Sequence, residues 1–236
     1  SGKTTTLYAT LKLLNKETTN IVTVEDPIEY TLEGINQVQL KESIGLSFAS
    51  ALRTFLRQDP DIIMLGEIRD GETAQMAVRA ALTGHLVLST IHTNSAWGTI
   101  SRLADMGVPP FLIANTLNTS VAQRLVRLLC THCKKQEPFR KEILPRNFRI
   151  DKLPELLSTP VGCESCFYTG YRGRKAIYEI VPIDHELSEC IKALKDHPGE
   201  LYKERNISTL SQSAFRLLEI GETSIDEVYS ILSNTF

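Results

Sequence analysis

Apolar positions along the first ninety residues follow two alternating rhythms. Leu7, Leu11 and Leu14 recur at helical spacing and predict a helix over residues 4–15. A short apolar run at 20–24 predicts a buried strand ending in Glu25-Asp26-Pro27, and a second strand is predicted near 35–40, after a Glu-Gly turn. Ser47 reads as the cap of a helix running to about Gln58. Asp59-Pro60 stops that helix, because proline has no N–H to continue the ladder. The run within 61–66, Ile-Ile-Met-Leu, is apolar at every position, as in a parallel strand covered on both faces. Asp70 reads as the cap of a helix to about Leu82, Gly84 ends it, and 85–91 predicts another buried strand.

Strands alternating with helices of this length predict a doubly wound α/β sheet. Such sheets bind ligands at the carboxyl ends of their strands. Here those ends carry Glu25 to Glu29, Glu67 and His92. The pattern changes after about residue 125. Residues 130–175 are rich in Cys, Pro, Gly, Lys and Arg and show little periodicity. A strand from Lys175 then leads to helices predicted near 185–195, 208–220 and 225–233, the last with a capping box Ser224-x-x-Glu227.

Charge and composition narrow the function. A formal net charge of −2 provides no basic surplus for a nucleic-acid surface. No apolar run approaches the roughly 18 residues a membrane helix needs, so membrane association is expected only through partners.

The chain opens on Ser1-Gly2-Lys3-Thr4-Thr5-Thr6, the second half of the phosphate-binding pattern G-x-x-x-x-G-K-[ST]. In such a loop, backbone N–H groups at a helix start face the phosphates. Lys3 would reach the β- and γ-phosphates and Thr4 would place its hydroxyl on Mg²⁺. The half motif predicts that the chain is a piece of a longer protein. Taken alone, it also fits a Gly-Lys turn before a helix.

Glu67 directly follows the apolar strand, the place of an acid that holds Mg²⁺ or activates water, with Gly66 standing where an aspartate is usual. Its bland alternative is a solvated acid opening a loop. Glu25, Asp26 and Glu29 repel one another unless a cation lies among them or the turn is solvated. His85 and His92 bracket one strand at an odd spacing, so they face opposite ways and do not share a metal. His92 lies at the carboxyl end, where a γ-phosphate would be sensed. His85 fits a structural role equally well. Arg53, Arg57, Arg69, Arg79, Arg102, Arg124 and Arg127 lie in or near this region, and guanidinium groups crossing a subunit contact can stabilise phosphoryl-transfer charge.

Cys130-Thr-His-Cys133 and Cys163-Glu-Ser-Cys166 are separated by 29 residues. Two such pairs supply four thiolates for a closed tetrahedral site, which suits structural zinc. The alternative is a metal-free hairpin carrying four reduced thiols. The fifth cysteine, Cys190, reads as a small core residue.

In order along the chain come Gly2-Lys3-Thr4-Thr5-Thr6-Leu7-Tyr8, Val24-Glu25-Asp26-Pro27-Ile28-Glu29-Tyr30, the block from Leu56 to Asp70 and the block from Thr83 to Asn94. This series resembles the secretion ATPase superfamily, in its branch of type II secretion and type IV pilus assembly ATPases. Gln123-Arg124-Leu125-Val126-Arg127 and Gly170-Tyr171-Arg172-Gly173-Arg174 also match.

The resemblance implies a RecA-like P-loop core over 1–127, a small tetracysteine zinc element over 128–175 and a mostly helical subdomain over 176–236. It implies that Ser1, Gly2, Lys3, Thr4 and Thr5 bind nucleotide, that Glu67 is the catalytic glutamate, and that Glu29, His92 and His85 belong to the active site. Arg53 and Arg57 are the weaker candidates for charge-stabilising fingers. Cys130, Cys133, Cys163 and Cys166 match the zinc element of assembly ATPases, which retraction ATPases lack. ATP, Mg²⁺ and Zn²⁺ follow as expected ligands, and a cytoplasmic homo-hexamer working against an inner-membrane platform and cytoplasmic adaptors as the expected assembly. ATP is expected between this domain and a preceding one. Two rivals stand beside this reading: a DNA-translocating ATPase, and a non-catalytic scaffold that binds a partner through its zinc element.

Overall fold

Ile21–Glu25 (β1) is buried at all five positions. It pairs in parallel with Asn36–Gln39 (β2) on one side and Ile62–Leu65 (β3) on the other, and β3 pairs in parallel with Leu86–Ser89 (β4). The computed structural model describes residues 2–140, 143–145 and 154–233, and within them this sheet has the order β2-β1-β3-β4. Its register places Val24 opposite Leu65, and Leu65 opposite Ser89. The residues that follow, Glu25-Asp26, Gly66-Glu67 and Thr90, therefore leave the sheet along one edge.

The two sheet faces separate by strict alternation. Ile21, Ile62 and Met64 pack with Tyr8 and Leu11 of Lys3–Leu14 (α1), and Leu7 and Leu14 lean on the same cluster. Val22, Val24, Ile63 and Leu65 face the other way, toward Phe48–Phe55 (α2) and Gly71–Leu82 (α3). Ser47 caps α2 by accepting the Ser50 N–H at 3.2 Å, and Asp70 caps α3 by accepting the Thr73 N–H at 2.8 Å. Each satisfies a backbone donor that has no partner inside its own helix.

β4 departs from expectation. It is a strand, but not a buried one: Leu86 is 41% exposed and the remaining three residues are only partly buried. Within the described residues β4 closes one side of the sheet, so its apolar pattern is not matched by cover on both faces.

The second half holds elements that periodicity did not show. Gly98–Asp105 (α4) and Pro110–Thr116 (α5) lead into a long strand, Thr119–Leu129 (β5). Lys135–Pro138 (β6) pairs antiparallel with Leu156–Thr159 (β7). β5 pairs antiparallel with Tyr171–Pro182 (β8), from Thr119 opposite Pro182 to Leu129 opposite Tyr171, so the strand expected at 175 begins four residues earlier. His185–Lys192 (α6), Gly199–Glu204 (α7), Leu210–Glu219 (α8) and Ile225–Ser233 (α9) complete the chain. Cys190 is buried on α6, as read from its spacing.

The box expected at Ser224 and Glu227 does not form. Glu227 directs its carboxylate to Arg127, accepting the backbone N–H at 3.0 Å and Nε–H at 2.7 Å, while Ser224 Oγ lies 2.6 Å from the Tyr171 hydroxyl. A charged partner across the chain outcompetes a local backbone donor.

Candidate functional site

Gly2 takes the left-handed conformation, φ 74°, and turns the chain into α1. Among the described residues no side chain caps this helix start, and its first turn carries no acid. Its leading N–H groups and the positive end of the helix dipole therefore present a site for an anion. Lys3 stands on the first turn, partly buried, with Nζ 3.3 Å from the Ile91 carbonyl. Burial lowers its pKa below the usual lysine value, and the nearby Glu67 charge opposes that shift. Thr4 follows on the same turn, while Thr5 points outward and is exposed. Ser1 lies outside the described residues.

The strand ends face this helix start. Glu67 leaves β3 and is held by two partners: His92 Nε2 lies 2.9 Å from Oε1, and Arg69 Nε–H donates to Oε2 at 2.8 Å. Arg69 also reaches Asp26, at 3.4 Å, and the two carboxylates raise its pKa further, Glu67 being the stronger cause. Gly66 has a steric reason. A Cβ there would come within 3.3 Å of Glu25 Cα and 3.4 Å of the Val24 carbonyl oxygen, so an aspartate would fit only if the end of β1 gave way by a few tenths of an ångström. Thr90 Oγ1 ties the next strand end in by donating to the Gly66 carbonyl at 2.7 Å.

The three acids at the end of β1 and just beyond it are divided among different partners. Glu25 is buried, and its carboxylate accepts from Thr23 Oγ1 at 2.6 Å, from Gln37 Nε2 at 3.0 Å and from the Tyr8 hydroxyl. Burial and that bond to Glu25 push the Tyr8 phenol up to about 12. Asp26 turns to Arg69. Glu29 lines the cleft, with its N–H on the Tyr8 hydroxyl oxygen at 3.3 Å.

A cleft of about 190 Å³ opens between these parts, and Lys3, Thr4, Glu29, Glu67 and His92 all line it. Their convergence from four separate segments is the chemistry of a phosphate site: a helix start and an ammonium for charge, carboxylates for a cation or water. A larger cavity, about 340 Å³, lies beside Trp97, Glu179 and His197, away from the phosphate turn. Size does not make it the better site: its helix start, at Leu210, is already satisfied by Glu179 and the Thr209 cap, and neither Lys3 nor Glu67 lines it.

Not every sequence candidate joins the cleft. His85 sits at the opposite end of β4, its Nδ1 3.0 Å from the Ala80 carbonyl oxygen and 3.1 Å from Thr83 Oγ1. Arg53 is exposed and pairs with Glu72 on α3, and Arg57 is exposed after α2. Tyr8 was not singled out by sequence, because its role depends on Glu25 from another element, and Arg69 was one of several arginines whose contacts no local pattern revealed.

The cysteines come together. Sγ atoms of Cys130, Cys133, Cys163 and Cys166 all lie within 4.8 Å of one another, with three separations of 3.8, 3.8 and 3.9 Å. Four sulfurs placed tetrahedrally around zinc at about 2.3 Å are about 3.8 Å apart, so the set fits that ion. Backbone N–H groups of Gly162, Cys163 and Gly170 point at two of the sulfurs at 3.2–3.3 Å, as donors to thiolates do.

The family described as Type II/IV secretion system protein matches residues 1–230. The chain belongs to this family. It is 50% identical over 234 residues to the type IV pilus assembly ATPase PilB of Myxococcus xanthus, spanning 97% of this chain and 41% of that protein. It is 55% identical over 235 residues to the type II secretion system protein E of Pseudomonas aeruginosa, spanning 98% and 46%. The chain thus spans less than half the length of these relatives. A crystal structure of the pilus retraction motor PilT with bound ADP shares its fold at TM-score 0.73 and 28% identity, covering all of this chain and 59% of that one. Among the described residues of this secretion-family chain, no helix is long and apolar enough to cross a membrane.

Proposed function

We propose that the chain is the nucleotide-hydrolysing part of a motor for pilus or pseudopilus assembly, in type IV pilus biogenesis or type II secretion. The observation that carries this reading is the convergence of Lys3, Thr4, Glu67 and His92 on one cleft at the start of α1. ATP is the substrate, and water is the nucleophile. Gly2, Lys3, Thr4 and Thr5 would hold the phosphates, and Thr4 a Mg²⁺ ion that offsets their charge. Glu67 accepts the proton of the attacking water, and Lys3 stabilises charge on the transferred group. His92 and Arg69 fix the orientation of the Glu67 carboxylate, and Glu29 contributes a second carboxylate to the cleft wall. His85 belongs to the same active unit by family likeness alone.

The four clustered cysteines support a structural zinc site within 128–175, between a motor core over 1–127 and a helical part over 176–236. By the family resemblance, the chain would work as a homo-hexamer in the cytoplasm, peripheral to the bacterial inner membrane through a platform and adaptors. The presence of the tetracysteine cluster favours assembly over retraction.

The test is ATP turnover by the intact protein. Lys3→Ala is expected to abolish it while the melting temperature stays within a few degrees, because this lysine offsets phosphate charge and fills no core space. A folded variant with unimpaired turnover would remove the phosphate-loop assignment.

A further inference from the structure

We infer that Gln123 is a positioning residue for the phosphate-binding turn, carried there by the β5–β8 hairpin; this deepens, and rests on, the reading of the cleft as an ATP site. Gln123 is 6% exposed and stands on β5 opposite Tyr178 of β8. The oxygen of an amide buried in a strand is costly unless it finds a donor. That donor is on α1, 117 positions away in sequence. Oε1 accepts from the Thr6 hydroxyl at 2.8 Å. Nε2 packs on Gly2 so closely that a Cβ there would lie 2.9 Å from it. Thr6 in turn closes the same turn onto Gly2 through its backbone N–H, 3.1 Å from the Gly2 carbonyl oxygen. The amide thus braces the one backbone turn whose N–H groups would face the phosphates.

The next residue grips the other wall. Arg124 donates to the carbonyls of Thr93 and Asn94 at 3.4 and 3.3 Å, immediately after His92. On β8, Glu179 lies opposite Ala122 and accepts the Ala96 N–H at 3.0 Å. Three neighbouring positions of one hairpin therefore hold both sides of the cleft at fixed spacing. Neither Gln123 nor Glu179 lines the cleft itself, so each acts through the residues it holds.

The experiment compares Gln123→Leu, Thr6→Val and the double variant in the intact protein, reading KM and kcat for ATP, Kd for ADP and Tm. Each single substitution removes the same bond from one side. Each is expected to raise KM and the ADP Kd about tenfold, with kcat changed by no more than about threefold, since ground-state phosphate binding is what the turn supplies. The double variant should be no weaker than the weaker single, because both delete one interaction. Unchanged KM and Kd with a lowered Tm would make Gln123 an ordinary core amide and overturn the inference. Should Gln123→Leu fail to fold, Thr6→Val, nearly isosteric, decides alone: wild-type KM and Kd would refute it. If the unsubstituted protein neither binds ADP nor turns over ATP, the ATP reading falls, and this inference with it.

Discussion

At the scale of single residues, the cleft separates carboxylates by what surrounds them. Both Glu25 and Glu67 line the cleft, but Glu25 is buried with its carboxylate taken up by three hydroxyl and amide donors and reads as structural, whereas Glu67 is held by His92 and Arg69. Glu67→Gln is expected to retain ADP affinity and lose turnover by a hundredfold or more, roughly the contribution of a positioned general base. Unchanged turnover with weakened ADP binding would instead make Glu67 a binding residue. Glu67 was legible in the sequence because a strand end followed by an acid is a local signal. Its partner Arg69 was only one arginine among seven, since nothing local distinguishes an arginine that meets Asp26, forty-three positions away, from a solvated one. The division of the acid cluster was hidden for the same reason: Tyr8 and Gln37 reach Glu25 from other elements.

Among the elements, the helix caps and the alternation of strands with helices in the first half are local properties and were readable. Asp70→Ala should lower stability by about 1 kcal/mol through loss of the Thr73 N–H bond, measured by urea unfolding, with little change in the cleft. Leu11→Ala, at a fully buried position, should cost about 2–5 kcal/mol and loosen α1 from β1 and β3. If Leu11→Ala cost no more than Asp70→Ala, the packing of α1 on the sheet would be wrong. β5 was not legible because Gln123, Arg124 and Arg127 interrupt its apolar alternation. Those polar residues are spent on long-range partners: the turn at Gly2, the loop after His92, and Glu227. A strand chosen for the contacts of its polar residues gives a weak periodic signal. The capping box at Ser224 failed by the same logic, because Glu227 had a better partner in Arg127.

For the whole molecule, the motor and the cysteine cluster make separable predictions. Purified protein is expected to carry one zinc per chain by elemental analysis. Cys163→Ser should release it and loosen residues 130–140 and 154–170 in hydrogen exchange, leaving the β1–β4 sheet protected. Absence of zinc, with four titratable thiols besides Cys190, would refute the site. The cluster also sits at a telling place along the contour of the chain. Cys130 directly follows β5 and Cys166 shortly precedes β8, so a metal ion bridging them would shorten a loop of roughly forty residues to a few, sparing about 1–2 kcal/mol of closure entropy when the two strands meet. The ion would then act as a folding clamp, and refolding with a chelator present should slow the joining of β5 and β8 several-fold while the parallel sheet forms at its usual rate. The grip of that hairpin on the phosphate turn would be the last part of the molecule to mature.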